Sequence, residues 1–341
     1  MKRKKGVDSA RSRIYTPRES PNNHLREFPA ERAATGAMNV SHPDGRKGSV
    51  MGIDIIQALI NGLLLGGIYG LIAVGLTLPF GVMDIPNFAH GEFVMLAMYA
   101  VFFFWSLTGL DPILSIPVVV PLFFLLGLGV YYLILRRLID IGASTPARLL
   151  ALAGLSIVLA NYAMYQWGSH HRIVKAAYRM SALMIGPFFI NVPLLISFIG
   201  SVILTLLVLL FLSRTYTGKA LVATAQDRDA ATLMGINTRW MYMVCFGVGI
   251  GLAAAVAPFL ATFRIIFPTI SGTLTLMGFV IVVMGGLGSV MGAFLGGLVI
   301  GIVESVITLL LSPELAWVAI FGIFVLILLY KPKGFFGKWI K

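Results

Sequence analysis

Long runs of this chain carry no charge at all. Residues 55–83, 93–110, 112–135, 149–171, 180–213, 240–263, 265–303 and 315–330 contain no Asp, Glu, Lys or Arg. About 20 helical residues at 1.5 Å each cross the ~30 Å hydrocarbon core of a bilayer. Of the 341 residues, 58% are hydrophobic and 12% charged, with a mean hydropathy of +0.91. A soluble fold of this size has too little interior to hide so much apolar surface. The chain is therefore read as all-α, a polytopic transmembrane helix bundle. The run 265–303 contains GGLGSVMGAFLGG and divides near residues 285–292. Continued through Glu304 to about Leu311 it supplies two spans, for about nine in all, within a range of eight to ten, some of them broken.

Residues 1–50 differ. They hold 11 Lys/Arg and 5 Asp/Glu, lack apolar periodicity, and are rich in Arg, Pro, Ser and Asn. They read as a disordered basic tail without the apolar core of a signal peptide. Met51 directly precedes the first hydrophobic run, so an over-extended start is the competing account. The membrane domain is 51–341. Its single cysteine, Cys245, excludes a disulfide framework and a Cys-based zinc site. The formal net charge of +12 would suggest nucleic acid in a soluble protein. In a membrane protein, basic residues first mark cytoplasmic loops, and no nucleic-acid partner is expected. Arg136 and Arg137 with Arg148, Arg214–Arg239, and Lys331–Lys341 place those loops and the C-terminus in the cytoplasm. The basic loop 172–179 (Arg172, Lys175, Arg179) conflicts with that rule, since it lies outside if 149–171 and 192–213 both cross.

Three polar segments and one buried charge are candidates for function. In Met83–Glu92, a Pro, an Asn and a Gly accompany Asp84, His90 and Glu92; such a segment cannot continue a lipid-facing helix. It is either an interfacial turn, with Asn87 capping the next helix and Glu92 near its positive end, or part of a transport path that includes Asn87, His90 and Glu92. His90 and Glu92, at i and i+2, point apart on a helix, so a metal site is not expected. The loop 214–240 contains Asp229-Ala230-Ala231 followed by Gly235, a short helix ended by glycine. It is either a solvated connector or a docking element. Glycines 285, 286, 288, 292, 296, 297 and 301 put Gly288 with Gly292, and Gly297 with Gly301, at i, i+4. That spacing suits helix packing more than substrate contact. Glu304 lies inside an apolar span, where an unpaired carboxylate costs at least ~2.5 kcal/mol. It is either a structural hydrogen-bonding group or part of the path. Arg264 reads as a snorkelling anchor. Gln57, Asn61 and Asn161 read as interhelical hydrogen-bond groups, and Trp105, Tyr131, Trp167, Trp240, Trp317 and Tyr330 as an aromatic belt.

Pro86-Asn87-Phe88-Ala89-His90-Gly91-Glu92 before an apolar helix resembles the signature of permease subunits of branched-chain amino acid ABC importers. Leu233-Met234-Gly235-Ile236-Asn237 and Gly285-Gly286-Leu287-Gly288-Ser289 with Gly292 are similar to that family too, in the expected order over about 51–341. Asp229-Ala230-Ala231…Gly235 resembles the Glu-Ala-Ala…Gly coupling motif of ABC importers, with Asp for Glu and without the downstream Leu-Pro. The resemblance implies a pore subunit in the cell (inner) membrane whose loop, with Asp229, Ala230, Ala231, Gly235, Ile236 and Asn237, docks on an ATP-binding cassette subunit. It further implies a second permease subunit, homologous or identical, and an extracytoplasmic solute-binding protein. Gly285, Gly286, Gly288 and Gly292 are then packing glycines.

The residues agree that this chain holds no P-loop. Gly218-Lys219 would need Gly at 213, which is Ser, and Gly337-Lys338 would need Gly at 332, which is Pro. No cofactor is expected on this chain; ATP belongs to the partner. No catalytic residue is expected either: the Ser of GLGS at 286–289 is displaced by one from a serine protease's GxSG. Urea, short amides and related small solutes remain alternative cargo. A stand-alone channel or secondary transporter remains the alternative class.

Overall fold

A computed structural model describes residues 47–331 together with 334 and 335; the basic tail, apart from its last four residues, and the extreme C-terminus lie outside the described residues. The described chain is an all-α bundle with one small hairpin. In chain order it comprises α1 (Lys47–Met83), α2 (His90–Thr108), the span α3 (Pro112–Asp140), α4 (Thr145–Trp167), β1 (Ala182–Ile185), β2 (Phe188–Asn191) and α5 (Val192–Arg214). Then follow α6 (Tyr216–Gln226), α7 (Arg228–Leu233), α8 (Thr238–Phe263), α9 (Ile270–Gly285), α10 (Val290–Leu310) and α11 (Pro313–Tyr330). Eight of these helices are long and apolar enough to cross a membrane, and α9 is a shorter apolar helix. The run 265–303 does divide, at Gly286–Ser289, where Gly286 and Gly288 take φ of 104° and 83°. Only glycine visits that region without strain.

Helix α8 is the axis, nearly wholly buried between α2, α3 and α5. Its small residues make this possible. A Cβ on Gly249 would lie 2.6 Å from Pro79 Cγ of α1, and one on Gly127 of α3 would lie 2.9 Å from Gly247 Cα. Helices α1 and α10 cross through a second glycine seam. A Cβ on Gly62 would lie 2.7 Å from the Gly301 carbonyl oxygen, and one on Gly66 would lie 2.7 Å from Leu298 Cα. Without a hydrophobic drive between helices in lipid, such backbone approach supplies the van der Waals energy of association. Gly297 and Gly301 thus pack as the sequence suggests. Gly286 and Gly288 in addition shape the elbow between α9 and α10, where Gly286 lies against Gly334 and the Gly288 N–H donates to Thr77 Oγ1 at 3.1 Å, and Gly292 fits that elbow from the α10 side, 2.7 Å separating a Gly285 Cβ from Ala293 N.

Three expectations are corrected. The first ten residues of the apolar run 180–213 are mostly the hairpin β1–β2, turned at Gly186-Pro187 with Gly186 at φ 60°. Gln57 pins it to α1, its Nε2 donating to the Phe189 carbonyl at 2.7 Å while its Oε1 accepts from the Phe189 N–H at 2.9 Å. Gln57 therefore binds strand β2 rather than another helix, Asn61 accepts from Gln57 one turn away on the same helix, and Asn161 bonds only to the Ile157 carbonyl of its own helix. Tyr131 leaves the aromatic belt, because it is buried in the middle of α3.

The basic loop that offends the charge rule has structural employment. Arg179 donates from Nη1 to the carbonyls of Val174 and Thr262 at 3.1 Å and Ala261 at 3.4 Å, and from Nη2 to Phe263 at 3.4 Å. Three of those carbonyls are the unpaired C-terminal groups of α8, where a cation also meets the negative dipole end. Burial lowers the Arg179 pKa, and burial with Asp111 alongside raises that of Tyr178, whose hydroxyl donates to Asp111 at 3.1 Å. Arg172 lies over the rings of Tyr99, Phe102 and Phe103.

Candidate functional site

The chain breaks twice in the same manner. After α1, Asp84 takes φ 53°, an extended segment follows, and a turn closed by His90 N–H to the Asn87 carbonyl (3.2 Å) starts α2. After α8, residues 264–269 repeat this order, closed by Ile270 N–H to the Phe267 carbonyl (3.2 Å) before α9. Each break turns the chain back into the bundle, but from opposite ends. His90 Nε2 bonds the Ile72 carbonyl at 3.1 Å. Ile72 lies about 16 Å along the axis from the α1 terminus at Met83, at 1.5 Å per residue. Helix α2 therefore begins deep in the bundle, not at an interface. Helix α9 begins at the same depth: the Gly91 N–H donates to Thr275 Oγ1 at 3.1 Å, and Phe88 stacks on Phe279 at 4.8 Å. Broken backbone at membrane depth is tolerated only where protein or a water-filled cavity surrounds it.

The first turn of α2 is short of polar partners. Asn87 is buried, its Oδ1 accepting from the Ala89 N–H at 3.1 Å while its Nδ2 has no partner. A carbonyl can only accept, so His90 bonds Ile72 through Nε2–H, leaving its buried Nδ1 as an unused acceptor. Glu92 is buried with Oε2 unpartnered. Each buried unpaired polar group costs about 1–3 kcal/mol, so three within six residues are anomalous for a purely structural turn. Asn87 does not cap α2 in the ordinary way; the cap position is Ala89 and lacks a side-chain bond.

Glu304 lies one turn of α1 away. Its Oε1 accepts from the Tyr69 hydroxyl at 3.3 Å, and that hydroxyl accepts from Arg264 Nη2 at 3.1 Å. Arg264 is exposed just beyond α8 but turns its Nη2 inward onto Tyr69. These long-range partners carry no local sequence signal.

The coupling-like residues stand apart, at the end opposite the hairpin. Asp227, which the motif reading passed over, caps α7 by accepting the N–H groups of Asp229 and Ala230 at 2.9 Å each. Asp229 and Ala230 are exposed on α7, whereas Ala231 is buried. Gly235, at φ 82°, closes the helix: its N–H meets the Thr232 carbonyl and the Ile236 N–H meets that of Ala231, both at 3.0 Å. Asn237 Oδ1 accepts from Trp240 N–H at 3.1 Å and caps α8. Between these turns Leu233 and Met234 are 88% and 83% exposed. Arg228 over the Tyr242 ring ties α7 to α8, and the Arg239–Asp140 ion pair at 3.1 Å joins α8 to the end of α3. Among the described residues, no group of three His, Cys, Asp or Glu side chains is placed to hold a metal ion.

The family model described as "Branched-chain amino acid transport system / permease component" matches residues 58–329. The chain belongs to this family. The permease is 29% identical over 296 residues to the high-affinity branched-chain amino acid transport system permease protein BraD of Pseudomonas aeruginosa, covering 83% of this chain and 96% of the relative. Identity to LivH of Escherichia coli K12 is 30% over 295 residues, with the same coverage. The probable LivH of Methanocaldococcus jannaschii is 28% identical, covering 78% of this chain and 88% of the relative. No solved structure matches the permease. It is a multi-pass membrane permease, a permease component of a transport system.

Asn87→Leu in this permease should lower transport about tenfold, because it strands the Ala89 N–H and reshapes the break, a penalty of about 1–3 kcal/mol. Asn161→Leu, on the exposed face of α4, should transport normally. Uptake at equal membrane abundance is the measurement, and equal rates for the two would return 83–92 to a structural turn.

Proposed function

We propose that this permease lines the path of an ATP-driven importer of branched-chain amino acids. Membership of the family, over 58–329, is the observation that carries the reading. In it, two ATP-binding cassette subunits hydrolyse ATP, a second permease chain completes the path, and an extracytoplasmic solute-binding protein delivers cargo. The exposed Leu233–Met234 knob and the capped α7 support a docking role for the loop 214–240; in this reading that end and the C-terminus are on the cytoplasmic side of a cell (inner) membrane. Asn87, His90 and Glu92 then belong to the path at mid-depth, where polar groups short of partners suit a hydrated passage. ATP is the only cofactor implied, held by the partner.

Purification from native membranes in mild detergent, mass spectrometry of the companions and leucine uptake by the reconstituted complex test the proposal. Recovery of an ATP-binding subunit with ATP-dependent leucine uptake supports it. Recovery of the chain alone with ATP-independent transport replaces it by a channel or secondary transporter. Uptake of urea or short amides in place of leucine overturns the cargo.

A further inference from the structure

Three helices bring opposite charges to one hydroxyl. Tyr69 of α1 is buried, receives a hydrogen bond from Arg264 just beyond α8, and gives one to Glu304 of α10. The two charged groups are not themselves within ion-pair distance; the hydroxyl stands between them. For groups of opposite sign this is an unusual restraint, since direct pairing in a low dielectric would be worth more than either bond to a neutral phenol. Two hydrogen-bonding capacities are left over. Glu304 Oε2 is buried and has no partner. Arg264 is exposed, and a guanidinium carries five N–H donors, of which one is used here. The cluster thus keeps a buried, unpartnered carboxylate oxygen and an exposed guanidinium with free donors one hydroxyl apart, Arg264 facing outward and Glu304 lying behind Tyr69.

We propose that Arg264, Tyr69 and Glu304 form a transient subsite for the head group of a zwitterionic α-amino acid, with the guanidinium taking the carboxylate and Glu304 taking the ammonium. This rests on the function proposed above. The chemistry matches the cluster: the ammonium nitrogen and carboxylate carbon of an amino acid are both bonded to Cα, about 2.5 Å apart, so one head group presents both charges to groups that flank a single hydroxyl. Neither charge binds the other, so the ligand does not have to break an ion pair to enter, and release leaves the tyrosine bridge in place. A subsite of this kind reads the backbone of the cargo and not its side chain. The Ile72 carbonyl that holds His90 lies one turn along α1, so the subsite adjoins the break at 84–92.

The competing account is a structural clamp, in which Tyr69 merely ties three helices. Two measurements on the purified complex in detergent separate the accounts. The first is thermal protection by millimolar leucine, leucinamide (ammonium only) or 4-methylpentanoate (carboxylate only). The subsite predicts protection by leucine alone, lost in Glu304→Gln and in Arg264→Gln. The unliganded melting temperature of Glu304→Gln should be close to wild type, because the amide still accepts from Tyr69. The second is leucine uptake after reconstitution with the binding protein, expected to fall about tenfold or more in both variants, as for truncation of one partner of a charged pair. No leucine protection of the wild type, or wild-type uptake by both variants, overturns the subsite. A Tyr69→Phe complex that melts earlier while Glu304→Gln keeps its uptake assigns the cluster to the clamp. If the wild type is protected by leucine yet imports none, the subsite stands and the importer reading fails.

Discussion

Gly297→Val should leave almost no folded permease in the membrane. At this position a Cβ would collide with the backbone nitrogen and Cα of Gly70, and the neighbouring contacts of the seam are backbone as well. A flexible side chain can turn away from an intruding methyl group, but a helix backbone cannot. The only relief is to part α1 from α10, which opens Gly62, Gly66 and Gly301 together and removes the dispersion energy that holds the pair. Overpacking a tight interior costs about 1–3 kcal/mol, and a backbone-to-backbone site belongs at or above the top of that range. The matching control is Gly154→Ala on α4, where no atom lies within 4 Å of the added Cβ. Its helix gains a better helix former, so its abundance and melting temperature should equal or exceed wild type. Size-exclusion profiles of the detergent-extracted proteins decide the matter; a monodisperse, abundant Gly297→Val protein would mean that α1 and α10 do not meet through this seam.

The second large effect concerns coupling. Leu233→Asp combined with Met234→Asp should reduce uptake to background while leaving the permease inserted and as stable as wild type. Both side chains project from the turn after α7 and take no part in its hydrogen bonding, which runs through Asp227, Gly235 and the backbone. A loss of transport would therefore come from a lost partner and not from a lost fold. Apolar residues this exposed are anchors when a second protein covers them. Gly235→Pro should have the same outcome by another route: proline is fixed near φ −65° and has no N–H, whereas this position needs φ 82° and a bond to the Thr232 carbonyl. Normal uptake by the double Asp variant at normal abundance would remove the loop from the docking role.

What the sequence disclosed follows from which physical signals are local. Charge-free runs marked the spans, because a charge in hydrocarbon is costly wherever it falls. The break at 84–89 was legible because Asp84, Pro86 and Asn87 fall together where a lipid-facing helix would have to continue. The equivalent break at 264–269 was not. Its residues Ile265, Ile266 and Phe267 are as apolar as a helix, and hydropathy does not separate an extended re-entrant segment from a spanning one; Arg264 and Pro268 were the local cues. The hairpin was hidden in the same way within an apolar run. For Glu304, depth could be read from its neighbours in the chain, but Tyr69 lies 235 positions away and Arg264 looked like a boundary residue. The conflict over the basic loop arose because a charge count treats every arginine as free to choose its side. Arg179 is committed to carbonyls at the end of α8 and Arg172 to aromatic rings, so neither votes on orientation.

The short helix α9 also constrains how the molecule is made. Its 16 residues measure about 24 Å, less than the ~30 Å hydrocarbon thickness, and its extended leader has no helical partner for its own peptide groups. Ile266 finds them on Arg172, each N–H donating to the other's carbonyl at 2.9 Å, and Thr275 of α9 accepts from the Gly91 N–H of α2. A nascent chain emerging from the ribosome meets both requirements only after the loop following α4 and the start of α2 are already in place. The C-terminal quarter cannot be threaded into lipid as an independent hairpin. Its place is completed by contacts with the N-terminal helices, so the early spans supply the surface against which the late ones pack.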